Sequence, residues 1–233
     1  MRAGIALKKI LIAGEAGQTT NYENALAAMQ VHFVTSLQVK DVDEYDGLLL
    51  PGGGDVDPKL FGQLLIPETE IRQYSRWEQQ LIRKGQEKLT PELDRIQLAI
   101  LKAFCQYRKP VFGICKGMQL INIAFGGDML RHLPTAVHHA YREKDQMHPA
   151  RNEVNSFLYE VYGSDMLVNS AHHQGVGIPG RGIRYVQYAP DGVVEGLQHE
   201  FLPVYGVQWH PEYLWDRDEA AMGLFQAFVD ACK

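Results

Sequence analysis

The chain is poor in cysteine, has no long apolar run and carries no excess of positive charge. Its three cysteines among 233 residues are scattered and form no CxxC pair, which excludes a disulfide framework and predicts a reducing, cytoplasmic setting. No apolar stretch approaches the roughly 18 residues that span a membrane. The net charge of −5 provides no electrostatic footprint for nucleic acid or for an anionic membrane surface. We therefore predict neither kind of partner.

Internal repeats, low-complexity tracts and linkers rich in proline, glycine or serine are also missing from the sequence. We accordingly predict one domain that spans residues 1–233, a length that can bury a substantial core. The basic beginning before an apolar run is similar to a secretory leader. However, the apolar part is short and is interrupted by Lys8 and Lys9, so a first β-strand is the better interpretation.

Short apolar segments alternate with helical patterns through the first half of the chain. The apolar segments predict strands at residues 10–13, 31–34, 48–50 and 110–114. The periodic patterns predict helices at residues 21–29, from Trp77 onward, at 91–106 with Thr90 as the N-cap, and at 118–125. Because helices separate the strands, we expect an α/β fold with a doubly wound, mainly parallel sheet.

The second half contains shorter strand candidates that are separated by turn signals. They lie at residues 154–168, 184–189, 193–197 and 204–208, with a Pro-Asp-Gly turn at residues 190–192. This pattern predicts an antiparallel extension of the sheet. A last helix is predicted to begin with Asp216 as its cap and Glu219 three residues later, and to turn Met222, Phe225 and residues 228–229 inward.

The stretch PVFGICKGMQ, residues 110–119, joins an apolar run to a helical pattern through Gly113-x-Cys115-x-Gly117. Gly-x-nucleophile-x-Gly between a strand and a helix is typical of a nucleophile elbow. The glycines relieve crowding in the sharp turn, and the amino end of the helix favours a thiolate at Cys115. A buried structural cysteine is the alternative, but two glycines in register favour a nucleophile.

The best candidate for a base partner lies in YGVQWHPE, residues 205–212. His210 follows an apolar strand candidate and precedes Pro211, which places it at a strand end, where sites on parallel sheets assemble. Glu212 is placed to accept a hydrogen bond from the imidazole and to fix its tautomer, as the third member of a triad does. A purely structural histidine is the alternative, but the adjoining proline and carboxylate favour a catalytic one.

A run of three glycines, Gly52, Gly53 and Gly54, follows the strand candidate at residues 48–50. It lacks the Lys-Ser/Thr of a phosphate-binding P-loop. Its predicted position, at the end of the strand next to the elbow, suits an oxyanion hole. The backbone amides of Gly53 and Lys116 would then surround one oxygen. A flexible surface turn is the alternative for this run.

Nine histidines raise the question of a metal site. Two adjacent pairs, His138-His139 and His172-His173, stand out. Neighbouring residues of a strand point to opposite faces, so that such pairs rarely chelate one ion. The sequence contains no HExxH pattern. We therefore predict no metal and no cofactor.

Five sequence blocks together carry a recognisable resemblance. They are LLLPGGGDVDP, PVFGICKGMQLINIAFGG, VNSAHHQGV, APDGVVEGL and VYGVQWHPE, in this order between Leu48 and Glu212. The chain resembles the class I glutamine amidotransferase-like superfamily and, within it, the gamma-glutamyl-gamma-aminobutyrate hydrolase family, whose members cleave γ-glutamyl amides. The basic Lys116 after the nucleophile and the blocks VNSAHHQ and GGGDVDP are more similar to the hydrolases than to amidotransferase subunits.

The resemblance implies a flavodoxin-like α/β domain with Cys115, His210 and Glu212 as the triad and the Gly53 and Lys116 amides as the oxyanion hole. It further implies that a small set of polar residues binds the glutamyl part of a small-molecule substrate: Gln119, Asn169, Ser170 and His173. It implies no cofactor and is compatible with a homodimer.

Two segments depart from the family pattern. Residues 128–132 read DMLRH, where the family usually has Thr/Ser-Leu followed by Gln-Asp. The segment at residues 62–89 is longer than usual, and its mixed charges favour a solvated amphipathic helix. Because both segments could border the leaving-group side, the amine half of the substrate stays open.

The expected reaction is acyl transfer to water, which releases glutamate and an amine. A first alternative is the glutaminase subunit of an amidotransferase, which uses the same triad and passes ammonia to a synthase partner. A second alternative is a catalytically silent binding protein of the same fold. The presence of all three triad residues argues against that second alternative.

Overall fold

The computed structural model describes residues 8–217 and 219–232, and these residues form an α/β structure. The strands are β1 (Lys9–Ile12), β2 (His32–Thr35), β3 (Gly47–Leu50), β4 (Val111–Ile114), β5 (Met129–Leu130), β6 (Gln146–Asn152), β7 (Asp165–Ser170), β8 (Gly175–Val176), β9 (Ile183–Tyr188), β10 (Val194–His199) and β11 (Val204–Val207). The α-helices are α1 (Thr20–Ala28), α2 (Glu68–Ile71), α3 (Arg76–Glu87), α4 (Pro91–Gln106), α5 (Lys116–Ala124), α6 (Ala136–His139), α7 (Phe157–Tyr162) and α8 (Glu219–Ala231).

Within these described residues, the main sheet has nine strands in the order β2-β1-β3-β4-β11-β10-β9-β6-β7. The first five strands in this order, β2, β1, β3, β4 and β11, run parallel to one another. The remaining strands, β10, β9, β6 and β7, continue the sheet in antiparallel pairing. The predicted doubly wound, mainly parallel sheet with an antiparallel extension is thus confirmed.

The parallel strands are buried on both faces, as expected of a sheet that helices cover on each side. Side chains of β3 alternate between two cores, with Leu48 and Leu50 in the core of α4 and α5 and Leu49 in the core of α1 and α8. Phe225 on α8 packs edge-on against Phe112 of β4. This double cover brings the carboxyl ends of β3, β4 and β11 to one edge.

Helix α5 packs unusually close to β3 and β4 because of two glycines. A Cβ atom at Gly113 would lie 2.6 Å from the carbonyl carbon of Gly117, and one at Gly117 would collide with the carbonyl oxygen of Leu50. Any side chain at either position would push the helix away from the sheet. The two glycines of the elbow therefore set how closely the helix approaches the strand ends.

The strand predicted at residues 154–168 is wrong over its first part, which forms helix α7. The side chain of Ser156 accepts a hydrogen bond from the Tyr159 amide and so caps this helix, and Asn155 before it has a φ of 61°. The capping hydroxyl thus overrides the β-propensity of the apolar residues that follow. Strand β6 was not predicted, because it contains Pro149 and exposes every second residue up to that point.

The segment at residues 62–89 is more than a solvated helix. Helices α2 and α3 lie in it, and a small core of Ile66, Ile71 and Ile82 joins them. A capping box between Ser75 and Glu78 begins α3. The amphipathic pattern of α3 thus reflects an apolar face that packs against its own neighbour.

Helix α8 buries Phe225, Phe228 and Val229, as predicted, while Met222 is half-buried. The predicted cap between Asp216 and Glu219 lies outside the described side chains. Among the helices in the described part of the chain, none combines the length and the apolar character that crossing a bilayer requires.

Candidate active site

Cys115 occupies the turn between β4 and α5. Its φ of 51° and ψ of −107° lie in a region that a non-glycine residue adopts only under strain. Its side chain is 5% exposed and borders a surface pocket. Cys115 directly precedes the first residue of α5, so its side chain lies beside the partial positive charge at the amino end of this helix. This geometry agrees with the predicted elbow.

His210 lies beyond the end of β11, beside Cys115. Its Nδ1 donates a hydrogen bond of 2.7 Å to Oε1 of Glu212, which sits in a short 3-10 helix, Pro211–Tyr213. Both side chains are buried. Burial alone would lower the pKa of His210, but the charge of Glu212, together with the charge of Cys115 and a hydrogen bond to it, raises this pKa well above 6.5. The arrangement therefore favours the imidazolium form of His210.

Asn169, at the end of β7, holds the backbone of His210 from the other side. Its Oδ1 accepts a hydrogen bond of 3.0 Å from the His210 amide, and its Nδ2 donates one of 3.0 Å to the His210 carbonyl. The sequence predicted Asn169 as a substrate-binding residue, and it does line the pocket. The double contact adds a second effect, because it fixes the strand end that carries the imidazole.

Tyr22, which lies in the helix predicted at residues 21–29, is a further residue of this site on α1. Its hydroxyl accepts a hydrogen bond of 2.9 Å from the Gly52 amide. Burial and the nearby charge of Glu212 raise its pKa well above 10, so the phenol stays neutral. A Cβ at Gly52 would lie 3.3 Å from His210 Cε1 and 3.4 Å from Cys115 Cβ. The glycine run therefore abuts the reactive side chains, as predicted.

The backbone amide of Lys116 follows Cys115 directly, while the Lys116 side chain is buried in the protein. Its amide belongs to the first turn of α5, where amides have no acceptor within the helix. Its ammonium group forms a buried ion pair with Asp94 and donates to Thr90 Oγ1 at 3.3 Å. Thr90, the predicted N-cap of α4, makes no side-chain capping bond there. The aliphatic part of the Lys116 side chain covers Gly53, because a Cβ atom added at Gly53 would lie 2.9 Å from Lys116 Cδ.

Replacing Lys116 with methionine is expected to destabilise the protein by about 3–5 kcal/mol, because the charge of Asp94 is then buried without its partner. Chemical denaturation followed by circular dichroism measures this change. The exposed Lys102 on α4 gives the matched control, Lys102→Met, with an expected change within about 0.5 kcal/mol. A double variant that adds Asp94→Asn should recover much of the loss. Equal stability of both single lysine variants would contradict this role.

The pocket above Cys115 has a volume of about 900 Å³. Its floor includes Cys115, His210, Gly53 and Asn169. Its rim carries aromatic, apolar and charged side chains: Tyr141, Asp145, Met147, Tyr213, Leu214 and Arg217. The pocket thus combines buried cysteine and histidine side chains with more exposed aromatic, apolar and charged ones.

The other predicted substrate-binding side chains are engaged with the protein itself. Gln119 donates to Gln208 Oε1 at 3.1 Å, and Ser170 is fully buried. His173 lies 2.9 Å from Asp55 through its Nε2. None of the three borders the pocket that contains Cys115. In the part of the chain that the structure describes, Asn169 alone of the four lines this pocket.

One member of each adjacent histidine pair belongs to a buried cluster elsewhere. His139 and His172 meet Glu195, with ligand atoms within 4.8 Å of one another, in an arrangement able to hold a metal ion. The prediction of no metal considered only an ion shared by neighbours within one pair. In the structure, helix α6 and the segment after β7 bring members of different pairs together.

The fold and this arrangement of a cysteine elbow, a histidine–glutamate pair and a glycine-rich loop define a protein of the class I glutamine amidotransferase-like group. A comparison of the sequence with known protein families supports this class and identifies a specific family. The sequence pattern of the family described as Peptidase C26 matches residues 30–212. The chain belongs to this family of enzymes.

Individual relatives and solved structures agree with this assignment. The chain is 31% identical to the gamma-glutamyl-gamma-aminobutyrate hydrolase PuuD of Escherichia coli, over 85% of this chain and 76% of that protein. It is 30% identical to the glutamine amidotransferase-like protein YvdE of Lactococcus lactis, over 79% and 73%. The structure of a glutamine amidotransferase from Thermotoga maritima superposes with a TM-score of 0.64 at 12% identity, over 96% of both chains. That last likeness shows the shared fold.

Proposed function

We propose that the protein hydrolyses the γ-glutamyl amide bond of γ-glutamyl amines, such as γ-glutamyl-γ-aminobutyrate, to glutamate and the free amine. The observation that carries the proposal is the alignment of Glu212, His210 and Cys115 beside the pocket. A cysteine nucleophile requires a base that is oriented by a third group, and this alignment supplies both.

The first half of the reaction is attack of the Cys115 thiolate on the γ-carbonyl carbon. A carbon–sulfur bond forms and the carbonyl oxygen becomes an oxyanion. The amides of Gly53 and Lys116 are the proposed donors to this oxygen: Lys116 directly follows Cys115 at the amino end of α5, and Gly53 lines the same pocket against the Lys116 side chain. The buried side chain of Lys116, which covers Gly53, keeps the two donors in register.

His210 then transfers protons in both directions. As an imidazolium it protonates the leaving nitrogen, so that the carbon–nitrogen bond breaks and the amine departs. As a neutral imidazole it takes a proton from water, which attacks the γ-glutamyl thioester and releases glutamate. The thiolate and the imidazolium are then restored. Glu212 holds the ring in the required tautomer throughout.

The rim of the pocket supports an amine larger than ammonia. A volume of about 900 Å³ lies in the upper part of the range for small-molecule sites and exceeds what glutamine alone needs. Asp145 and Arg217 offer both signs of charge to the leaving group, and Tyr141 and Tyr213 offer aromatic surface. The similarity to the Escherichia coli hydrolase also favours a γ-glutamyl amine.

A glutaminase subunit that delivers ammonia to a synthase partner is the alternative. It is favoured by the amidotransferase-like name of the Lactococcus lactis relative. It would use the same Cys115 and His210 chemistry, with glutamine as the preferred substrate and with activity that rises when a synthase binds.

A panel of amides separates the two functions. Glutamate release is measured with γ-glutamyl-γ-aminobutyrate, other γ-glutamyl amines, γ-glutamyl peptides and glutamine. We expect kcat/KM for the best γ-glutamyl amine to exceed that for glutamine at least about 10-fold, equivalent to about 1.4 kcal/mol of transition-state binding. Preference for glutamine would overturn the proposal in favour of the glutaminase. No release from any amide would favour a silent binding protein.

A further inference from the structure

A second cluster of titratable side chains lies outside the catalytic pocket. It consists of His139 on α6, His148 on β6, His172 after β7 and Glu195 on β10, which we call the histidine cluster. The side chains of His139, His172 and Glu195 are at most 3% exposed, and that of His148 is 11% exposed. The proposed reaction uses none of these groups.

Two of these histidines have one ring nitrogen fixed as a donor by a backbone carbonyl. Nδ1 of His172 lies 2.9 Å from the carbonyl oxygen of Gln174, and Nδ1 of His148 lies 3.0 Å from that of Pro149. Because a carbonyl oxygen only accepts, each Nδ1 carries the hydrogen. In the neutral ring, Nε2 of both residues therefore carries a free lone pair.

His139 is fixed in the same way by a carboxylate. Its Nε2 donates to Oδ2 of Asp191 at 2.9 Å. Nδ1 of His139 faces the interior of the cluster, where it can accept a hydrogen bond of 3.4 Å from Ser170 Oγ and lies 3.3 Å from Glu195 Oε1.

The three remaining ring nitrogens converge on one oxygen atom of Glu195. Oε1 lies 3.3 Å from Nδ1 of His139, 3.5 Å from Nε2 of His172 and 3.5 Å from Nε2 of His148. Among the described residues, neither the two Nε2 atoms nor the two Glu195 oxygens have a hydrogen-bond partner. Four electron-rich atoms thus face one another in a buried space.

We propose that His139, His172 and Glu195, with His148 in the fourth position, bind a divalent transition-metal ion of the zinc class. Tetrahedral zinc with bonds of about 2.0–2.1 Å separates its ligand atoms by about 3.4 Å, which agrees with the distances to Glu195 Oε1. Imidazole and carboxylate ligands without thiolate suit zinc and its first-row neighbours.

The surroundings of the cluster are those of a metal site. Metal-binding histidines usually donate their second ring nitrogen to a carboxylate or a backbone carbonyl, and all three histidines here do so. A pocket of about 410 Å³ that is bordered by His139, His148 and Asp191 leads to the cluster from the surface. An ion therefore has an entry path.

Protonation of the histidines is the alternative way to relieve the lone-pair repulsion, but a single imidazolium would give Glu195 one donor and leave the lone pairs of the other two rings facing the same oxygen. The ring centroids of His139 and His148 are 4.7 Å apart, and those of His139 and His172 are 5.1 Å apart. Three imidazolium ions at such distances would repel one another in a buried space. One divalent ion balances the two carboxylates, Glu195 and Asp191, while the rings stay neutral.

The position of the cluster points to a structural ion. It joins α6, β6, β10 and the segment after β7, and His172 lies two residues before Gln174, whose Oε1 accepts from the Val56 amide at 2.9 Å. With four protein ligands the site is closed, as structural zinc sites are. The ion would thus stabilise the antiparallel extension and, through Gln174, the loop that follows the glycine run.

The metal content of tag-free protein tests the proposal. After reconstitution with Zn²⁺ and gel filtration, elemental analysis should find about one zinc ion per chain in the wild type. His139→Gln and His172→Gln should lose it, whereas His138→Gln, which changes the exposed neighbour of His139, should keep it. Cys115→Ala should also keep it, which separates the cluster from the catalytic thiol. Chelation should lower the thermal midpoint of the wild type.

A cobalt titration of the metal-free wild type tests the same site without relying on variants that could fail to fold. Co²⁺ in a tetrahedral nitrogen and oxygen site gives visible absorption bands, which Zn²⁺ should then displace. Wild-type protein that binds neither ion, loss of the ion in His138→Gln equal to that in His139→Gln, or loss in Cys115→Ala would each overturn the proposal.

Discussion

Replacing Cys115 with alanine is expected to lower kcat for glutamate release by about 10⁶-fold, the loss seen when a covalent nucleophile is removed. The expectation rests on the strained elbow, which aims this sulfur at the pocket, and on the partnership with His210. A coupled glutamate assay with the best γ-glutamyl amine measures the loss. Because alanine leaves the backbone unchanged, the thermal midpoint should remain close to that of the wild type.

Cys105 gives the matched control for this substitution. Burial raises the pKa of the Cys105 thiol to about 11 and that of the Cys232 thiol to about 12, so neither forms thiolate readily at neutral pH. Cys105→Ala should therefore keep full activity. Full turnover by Cys115→Ala would remove Cys115 from the reaction and with it the proposed covalent step.

Replacing Glu212 with glutamine is expected to lower kcat by up to about 10⁴-fold, the cost of losing the carboxylate that sets the histidine tautomer. It should also change the pH profile. Glu212 is the largest of the influences that raise the pKa of His210, so its removal should lower that pKa. Since the imidazolium protonates the leaving amine, the alkaline limb of kcat/KM against pH should move to lower pH.

The exposed Glu200 provides the matched control, because Glu200→Gln removes one carboxylate without touching the pocket. It should leave both kcat and the alkaline limb in place. A Glu212→Gln enzyme with an unshifted limb would show that Glu212 does not control His210. An unchanged kcat would further show that the ring needs no orienting carboxylate.

The strand–helix alternation and the elbow were predictable because both depend on local signals. Buried parallel strands appear as short apolar runs, and the two glycines at residues 113 and 117 mark a close approach that no other residue permits. His210 and Glu212 were found because Pro211 and the preceding strand fix their position. These features need no knowledge of which distant segments meet.

The parts that were missed depend on contacts between distant segments. Tyr22 was predicted only as part of a helix, since nothing in the neighbouring sequence reveals that its hydroxyl contacts Gly52. Lys116 was noted only as a basic residue after the nucleophile, because its ion-pair partner Asp94 lies on another helix. The histidine cluster was missed for the same reason. Sequence periodicity reports which face of an element is buried, but it does not report what lies across from it.

The most direct test of the central claim is capture of the acyl-enzyme. The protein is mixed with a γ-glutamyl amine, quenched in acid during turnover and examined by mass spectrometry of the intact chain and its peptides. We predict a γ-glutamyl adduct on the peptide that carries Cys115, none on those with Cys105 or Cys232, and none in the Cys115→Ala variant. Glutamate release without any adduct on Cys115, or an adduct on another residue, would contradict the account.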